Sequence, residues 1–387
     1  VIKKIIFFVG VSFSQRDFDR FGIELLETND FEVEIWEFTP IINYHGYKEL
    51  SIKNCVRFKQ HKFLFSKTQA RTEMSKLDKE TFVICFIPYP NFVYHMISQY
   101  KINYAIFLAN ALPVKREKMM SLAQIKHILQ LTPRKLFAYI VGKLFILIDG
   151  ITPPTLILAG GERSPKSQLS FSKESEVLWT HALDYDIYMK YRNMIYSKDK
   201  RQAVFLDEDL PFHSDYIYLN IKPYATPEEY YPLICNFFDK IEKKYNMKIV
   251  IAAHPRSNYK KNDDFYDGRL VTKNRTFELI KESTFVIAHS STAINFAVLL
   301  KKPIIFITTN RLKKTREGQI IDAMATILGK KPINIDERFD INTEKELIVN
   351  EKLYMGYRND YIKKEGSEEN LFWQIVAERL KKGFDKN

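Results

Sequence analysis

Cysteine is scarce in this chain, and so is any long uninterrupted apolar run. The three cysteines, Cys55, Cys85 and Cys235, lie far apart and form no CxxC pair. That spacing argues against a disulfide framework or a cysteine zinc site and fits a reducing compartment. Two of them sit in apolar surroundings, where a free cysteine behaves as a small hydrophobe. The opening VIKKIIFFVGVSFSQ has an apolar run but no small-residue cleavage site, so it reads as a first buried strand and not as a signal peptide. Zinc-finger spacing, an RNP-like aromatic pattern and a dense basic helix are all missing, which ranks nucleic acid low as a partner. No internal repeat or low-complexity stretch is visible.

The material for folding is plentiful. The chain has 387 residues, which suits two domains of roughly 150–200 residues each. Hydrophobic residues make up 45% and aromatic residues 14%, so each half has enough to bury and disorder is a poor reading for any large segment. The formal net charge of +12 then needs a purpose. With nucleic acid set aside, it points to an anionic ligand and an acidic membrane surface.

Short apolar runs alternate with helical patterns along the whole chain. Residues 5–9, 32–38, 81–88, 103–108 and 155–159 read as strands of the first half, the last of them closing it. A helical pattern covers 17–27. In the second half, 203–206, 248–253, 270–272, 285–288 and 303–307 read as strands. Helices are expected over 227–245, 276–282 and 293–300, with acidic residues opening the first of these and lysines closing it. Such alternation predicts parallel crossover units and an α/β fold of two Rossmann-like domains facing across a cleft. The expected division is 1–190, 191–365, and a C-terminal amphipathic helix within 366–387 packing back on the first domain.

Ligands of an open parallel sheet bind beyond the carboxyl ends of its strands. Three polar loops of the second half meet that condition: Asp207-Glu208-Asp209, His254-Pro255-Arg256-Ser257 and His289-Ser290-Ser291-Thr292. Consecutive hydroxyl residues at a strand-to-helix turn offer side-chain donors and free backbone N–H groups, an anion site, although Ser291 or Thr292 can equally be a plain helix cap. Pro255 fixes its turn, and Arg256 adds a cation beside His254, so this loop can offer two donors to a phosphate or carboxylate. Asp207, Glu208 and His213 face the same cleft by position and are candidate sugar or acceptor contacts, or else an acidic surface turn.

The apolar strand ending in His254-Pro255, followed later by Ser290-Ser291-Thr292 opening a helix, resembles the HP and Ser/Thr motifs of bacterial sialyltransferases and their relatives. The resemblance covers about 110 residues. It implies a GT-B glycosyltransferase that uses a CMP-activated nonulosonic acid or Kdo, with His254, Pro255, Arg256, Ser290, Ser291 and Thr292 on the donor nucleotide, chiefly its phosphate. It implies no metal and no cofactor beyond the nucleotide sugar, and an acceptor in a surface glycan or glycolipid. The group's acidic acceptor-domain motif has no match here. Asp17 and Asp19, after the first strand, are the available carboxylates for a catalytic base, or they merely favour a helix N-terminus. The helix after the Ser/Thr loop, AINFA, lacks the carboxylate by which UDP-sugar enzymes often hold the ribose, which leans toward CMP.

A basic and apolar stretch over 121–151 is interrupted by Gly142 and Lys143. It falls short of the roughly 20 residues needed to cross a bilayer. It reads equally as a buried helix pair or as a helix lying in a lipid interface. A cytoplasmic chain, peripheral at the membrane face, is the expected location. Two other classes stay open: a nucleotide-sugar epimerase or hydrolase, and a binding module without chemistry.

Overall fold

A computed structural model describes residues 1–51, 58–89, 91–114, 150–165, 175–195, 201–257, 259, 264–339 and 343–384. Cys55 and nearly all of the basic stretch 121–151 lie outside the described residues. Among the described residues no helix is long and apolar enough to cross a membrane.

The first sheet has seven strands: β1 (Lys4–Val9), β2 (Glu32–Glu37), β3 (His61–Phe63), β4 (Thr81–Cys85), β5 (Asn103–Phe107), β6 (Leu156–Ala159) and β7 (Glu176–Trp179). Their order is β3-β2-β1-β4-β5-β6-β7, every pair parallel. The strand β1 is apolar on both faces because both are covered. Ile5, Phe7 and Val9 join one buried cluster, whereas Ile6 and Phe8 join another. Continuous apolar runs of this kind are what a parallel sheet buried on two sides requires.

The second sheet repeats the plan with six strands: β8 (Gln202–Leu206), β9 (Lys248–Ala252), β10 (Val271–Thr272), β11 (Val286–Ala288), β12 (Ile304–Thr308) and β13 (Ile333–Asn334). Its order is β10-β9-β8-β11-β12-β13, again all parallel. In both sheets the order reverses beside the first strand, between β1 and β4 and between β8 and β11. The switch-point crevice of a doubly wound sheet lies there.

Three strands escape a reading of apolar runs. β3 is only HKF, β13 only IN, and β7 is EVLW at the sheet edge. The first half therefore closes on β7 and not on 155–159. The expected helix 17–27 is two, Gln15–Arg20 and Ile23–Thr28, parted by Gly22 at φ 58°. The helix Pro227–Tyr245 has the expected bounds. Thr226 and Glu229 form a capping box, Pro227 occupies the first turn, and Asn246 ends it in a left-handed conformation.

The final helix, Phe372–Lys381, buries Phe372, Trp373, Val376, Ala377 and Leu380 in the first domain's cluster. Trp373 Nε1 donates to the Arg20 carbonyl at 2.6 Å. The chain reaches this helix through 359–364, which runs beside the Gly160-Gly161 turn. Glu162 N donates to Asn359 O, and Lys364 N to Gly160 O. A Cβ at Gly161 would overlap the Asp360 backbone, so only glycine admits this passage.

Candidate functional site

Loops at the carboxyl ends of the two sheets meet. After β1, Ser12 N donates to Tyr218 Oη at 2.9 Å; after β2, Asn43 Nδ2 donates to the Tyr218 carbonyl at 2.5 Å. Asp17 and Arg256 approach to 3.8 Å across the same gap. Arg20 pairs with Asp184, whose other oxygen accepts from Asn295 Nδ2 at 3.1 Å. The strand-end crevices of both sheets thus open into one cleft.

Asp207, the first residue beyond β8, is a buried joint. Its Oδ1 accepts from Asp209 N at 2.8 Å and Tyr266 Oη at 2.9 Å; its Oδ2 accepts from Tyr259 Oη at 2.5 Å and His254 N at 3.4 Å. Burial raises its pKa, and the four donors act against that rise. The arrangement gives Asp207 the task of holding the β8 and β9 loops together, with no oxygen left for a sugar. Asp209 follows at φ 51°, buried, and its Oδ1 has no hydrogen-bond partner among the described residues. Burial and the Asp207 charge push it up to about 7.

Glu208 points the other way, onto the Ser/Thr loop. Its carboxyl accepts from Ser290 N at 3.3 Å and from Ser290 Oγ at 3.2 and 3.3 Å. Burial lifts it to about 7, with the Asp207 and Glu317 charges adding to the rise. A carboxyl group therefore sits on the donors that the sequence assigns to a phosphate. Ser291 Oγ accepts from Ala293 N at 3.3 Å, a local turn. The helix begins at Ile294, one residue later than expected, with Thr292 part-exposed before it. His289, just ahead, belongs to the core: it is fully buried between Tyr230 Oη and the Ile307 carbonyl, both at 2.9 Å. Desolvation lowers it to about 4 and keeps it neutral.

His254 follows β9 and one further residue. Its Nδ1 accepts from Arg256 N at 3.3 Å, which leaves Nε2 to donate. Its ring lies 4.9 Å from that of His213, whose Nδ1 accepts from Asp215 N. Burial, then His213, Arg256 and Arg16, push His254 down to about 3. In the ligand-free protein it is a neutral donor and not a cation, a physical restriction on meeting phosphate charge. The acidic turn 207–209 joins the two motifs: Asp207 touches the His254 loop and Glu208 the Ser290 loop. Arg256 aims instead at Asp17 of the first domain.

The first-domain carboxylates differ from each other. Asp17 Oδ2 accepts from Ser14 N at 3.0 Å and Ser14 Oγ at 2.6 Å, a capping box, and its Oδ1 faces Arg16 and Arg256. Asp19 is exposed and holds Gln15 Nε2 at 2.9 Å.

Four residues of the cleft escaped the sequence reading. Arg16 and Tyr218 are visible only once the domains are set face to face. Glu37 is fully buried at the end of β2, where it accepts from His61 Nε2 at 3.0 Å, Ser51 Oγ at 2.5 Å and Phe13 N at 3.2 Å. Glu317, in the first turn of helix Arg316–Ile327, lies close enough for its charge to weigh on Glu208 and on Tyr224. AINFA itself carries no carboxylate, and Glu317 comes from the next helix along the chain.

No family profile matches this chain, and no curated protein matches it in sequence. Solved structures do. A variant of the wall teichoic acid polymerase TagF superposes with a TM-score of 0.55 at 11% identity, over 98% of this chain and 88% of that one. MurG from Acinetobacter baumannii gives 0.47 at 10% identity, over 98% and 99% of the two chains. The UDP-GlcNAc 2-epimerase of Methanocaldococcus jannaschii, in complex with UDP-GlcNAc and UDP, gives 0.46 at 12%, over 99% and 100%. At such identities the likeness speaks to architecture alone: two Rossmann-like domains of the GT-B kind.

Proposed function

We propose that this chain is a glycosyltransferase, taking a nucleotide-activated sugar at the switch point of the second sheet and passing the sugar to a glycan acceptor bound against the first. The observation that carries this reading is the Ser290 loop. Its N–H and hydroxyl converge at the switch point, and Glu208 already fills the place that a phosphate oxygen would take. His254 Nε2 offers a further donor on the same side of the cleft. The leaving phosphate would be stabilised by such fixed donors as its charge develops.

The finer assignment, a CMP-linked nonulosonic acid or Kdo, rests on the HP and Ser/Thr motifs at His254-Pro255 and Ser290–Thr292. A UDP-sugar is the second reading, favoured by Glu317 beside Glu208, where a ribose could be held. Pro255 and Arg256 set the turn that presents His254. Of the three candidate sugar or acceptor contacts, Glu208 and His213 keep that proposal. Asp17 is the proposed base, because Asp17 Oδ1 is a first-domain carboxylate oxygen turned into the cleft.

The test is donor turnover with and without an acceptor glycan. Nucleotide release that depends on the acceptor supports transfer; release that ignores it indicates a hydrolase or epimerase relative. Asp17→Asn is expected to lower turnover at least tenfold without weakening nucleotide binding, and an unchanged rate removes Asp17 as base.

A further inference from the structure

Positive charge from both domains gathers in the cleft. Arg16 and Arg20 stand on helix Gln15–Arg20 of the first domain, and Arg256 on the loop after β9 of the second. Arg20 is engaged by Asp184. Lys273, behind the β9 loop, donates to the Ser257 carbonyl at 2.7 Å. Arg16 and Arg256 differ: among the described residues neither guanidinium has a hydrogen-bond partner. They share one oxygen, Asp17 Oδ1, at 4.0 Å from Arg16 Nη1 and 3.8 Å from Arg256 Nη2. Both distances exceed hydrogen-bond reach. The other Asp17 oxygen is held by Ser14.

Such an arrangement is costly without a ligand. Burial first, then Arg20 and Arg256, press the Arg16 guanidinium down to about 10. Arginine gives up its proton very reluctantly, so the strain on Arg16 is relieved by an anion and not by neutralisation. Two guanidiniums offer rigid forks of donors matched to the oxygens of phosphate or carboxylate. Because one fork comes from each domain, an oxyanion between them would be gripped by both halves of the cleft.

We infer that Arg16 and Arg256 form an oxyanion clamp across the cleft, for a phosphate or carboxylate group of donor or acceptor, which takes the guanidinium donors that Asp17 Oδ1, beyond hydrogen-bond reach, leaves unused. The inference rests on the proposed function for the source of the anion, and on the arginine geometry for its site. The clamp is distinct from the Ser290 loop, which meets Glu208 and not Arg256.

Calorimetric titration of inorganic phosphate into the full chain tests it. Arg16→Gln and Arg256→Gln are each expected to weaken phosphate binding about tenfold, the scale of a lost charge-assisted hydrogen bond. Asp17→Asn is expected to tighten it about threefold by removing the competing carboxylate, an effect that a merely structural Asp17 would not produce. Equal binding by both arginine variants, or weaker binding by Asp17→Asn, overturns the clamp. Melting curves without phosphate check folding; for an unfolded variant, Arg16→Lys or Arg256→Lys keeps the charge, loses the fork, and is expected to bind about threefold more weakly.

A second titration, at saturating CMP or UDP, identifies the source. Phosphate that still binds, and still needs Arg16, assigns the clamp to an anion beyond the nucleotide's own. Phosphate excluded by the nucleotide, with nucleotide binding itself dependent on Arg16, assigns it to the donor. If neither nucleotide binds while phosphate binding needs both arginines, the glycosyltransferase reading fails and the clamp stands. If nucleotide binding needs Ser290 but neither arginine, and phosphate binding is indifferent to both, the clamp fails and the glycosyltransferase reading stands.

Discussion

Glu208 and His254 are driven by the same burial toward opposite protonation. Desolvation disfavours charge, so the carboxyl rises to about 7 and the imidazole falls to about 3. For Glu208 the folded-state pKa lies above the unfolded one near 4.5. Its contribution to stability is therefore complete below pH 4.5 and is lost as pH rises through 7. Glu208→Gln should remove that loss. Between pH 5 and pH 8 the wild type should fall by about 1–2 kcal/mol relative to the variant in urea unfolding, a figure kept low because the carboxyl is partly open to solvent. Parallel pH profiles would contradict the assignment. For His254 the prediction is spectroscopic. Its ring resonances should not titrate between pH 8 and pH 5 without ligand, and a midpoint near 6.5 would show that the ring is not desolvated. At this scale the sequence made the donors legible, since His254 and the serines stand at strand ends. It did not reveal what occupies them. Glu208 reaches Ser290 and Asp207 reaches His254 only through a fold that sets β8 between β9 and β11.

Elements were legible where burial writes itself into one segment. β1, β8 and the helix Pro227–Tyr245 carry long apolar or capped patterns and fall where expected. β3, β7 and β13 do not, because an edge or two-residue strand gains its conformation from the neighbour it pairs with and not from its own run of side chains. The break between helices Gln15–Arg20 and Ile23–Thr28 is likewise a tertiary matter. Gly22 holds φ 58°, and a Cβ there would overlap the Trp373 indole of the final helix. Gly22→Ala should therefore cost at least about 2 kcal/mol, from backbone strain together with displaced packing. Urea unfolding checks the figure. A variant within about 0.5 kcal/mol of wild type would mean that the final helix is not seated as described.

At the scale of the molecule, two sheets of like topology place their switch points toward a common cleft. Asp184 ties them, pairing with Arg20 of the first domain and Asn295 of the second. The alternation of strands and helices gave the architecture away, whereas the cleft's chemistry was half hidden. Arg16, Tyr218, Glu37 and Glu317 come from four separate segments, and no local pattern marks them as neighbours. The proposed nucleotide-sugar site at the second sheet's switch point is tested by a thermal-shift titration with CMP, UDP, GDP and their sugars. At about 100 times the dissociation constant a ligand adds about 2.7 kcal/mol to stability. That should raise the melting temperature by a few degrees, and the rise should shrink in Ser290→Ala and His254→Ala. A folded protein whose melting temperature none of these nucleotides or nucleotide sugars moves would contradict the account.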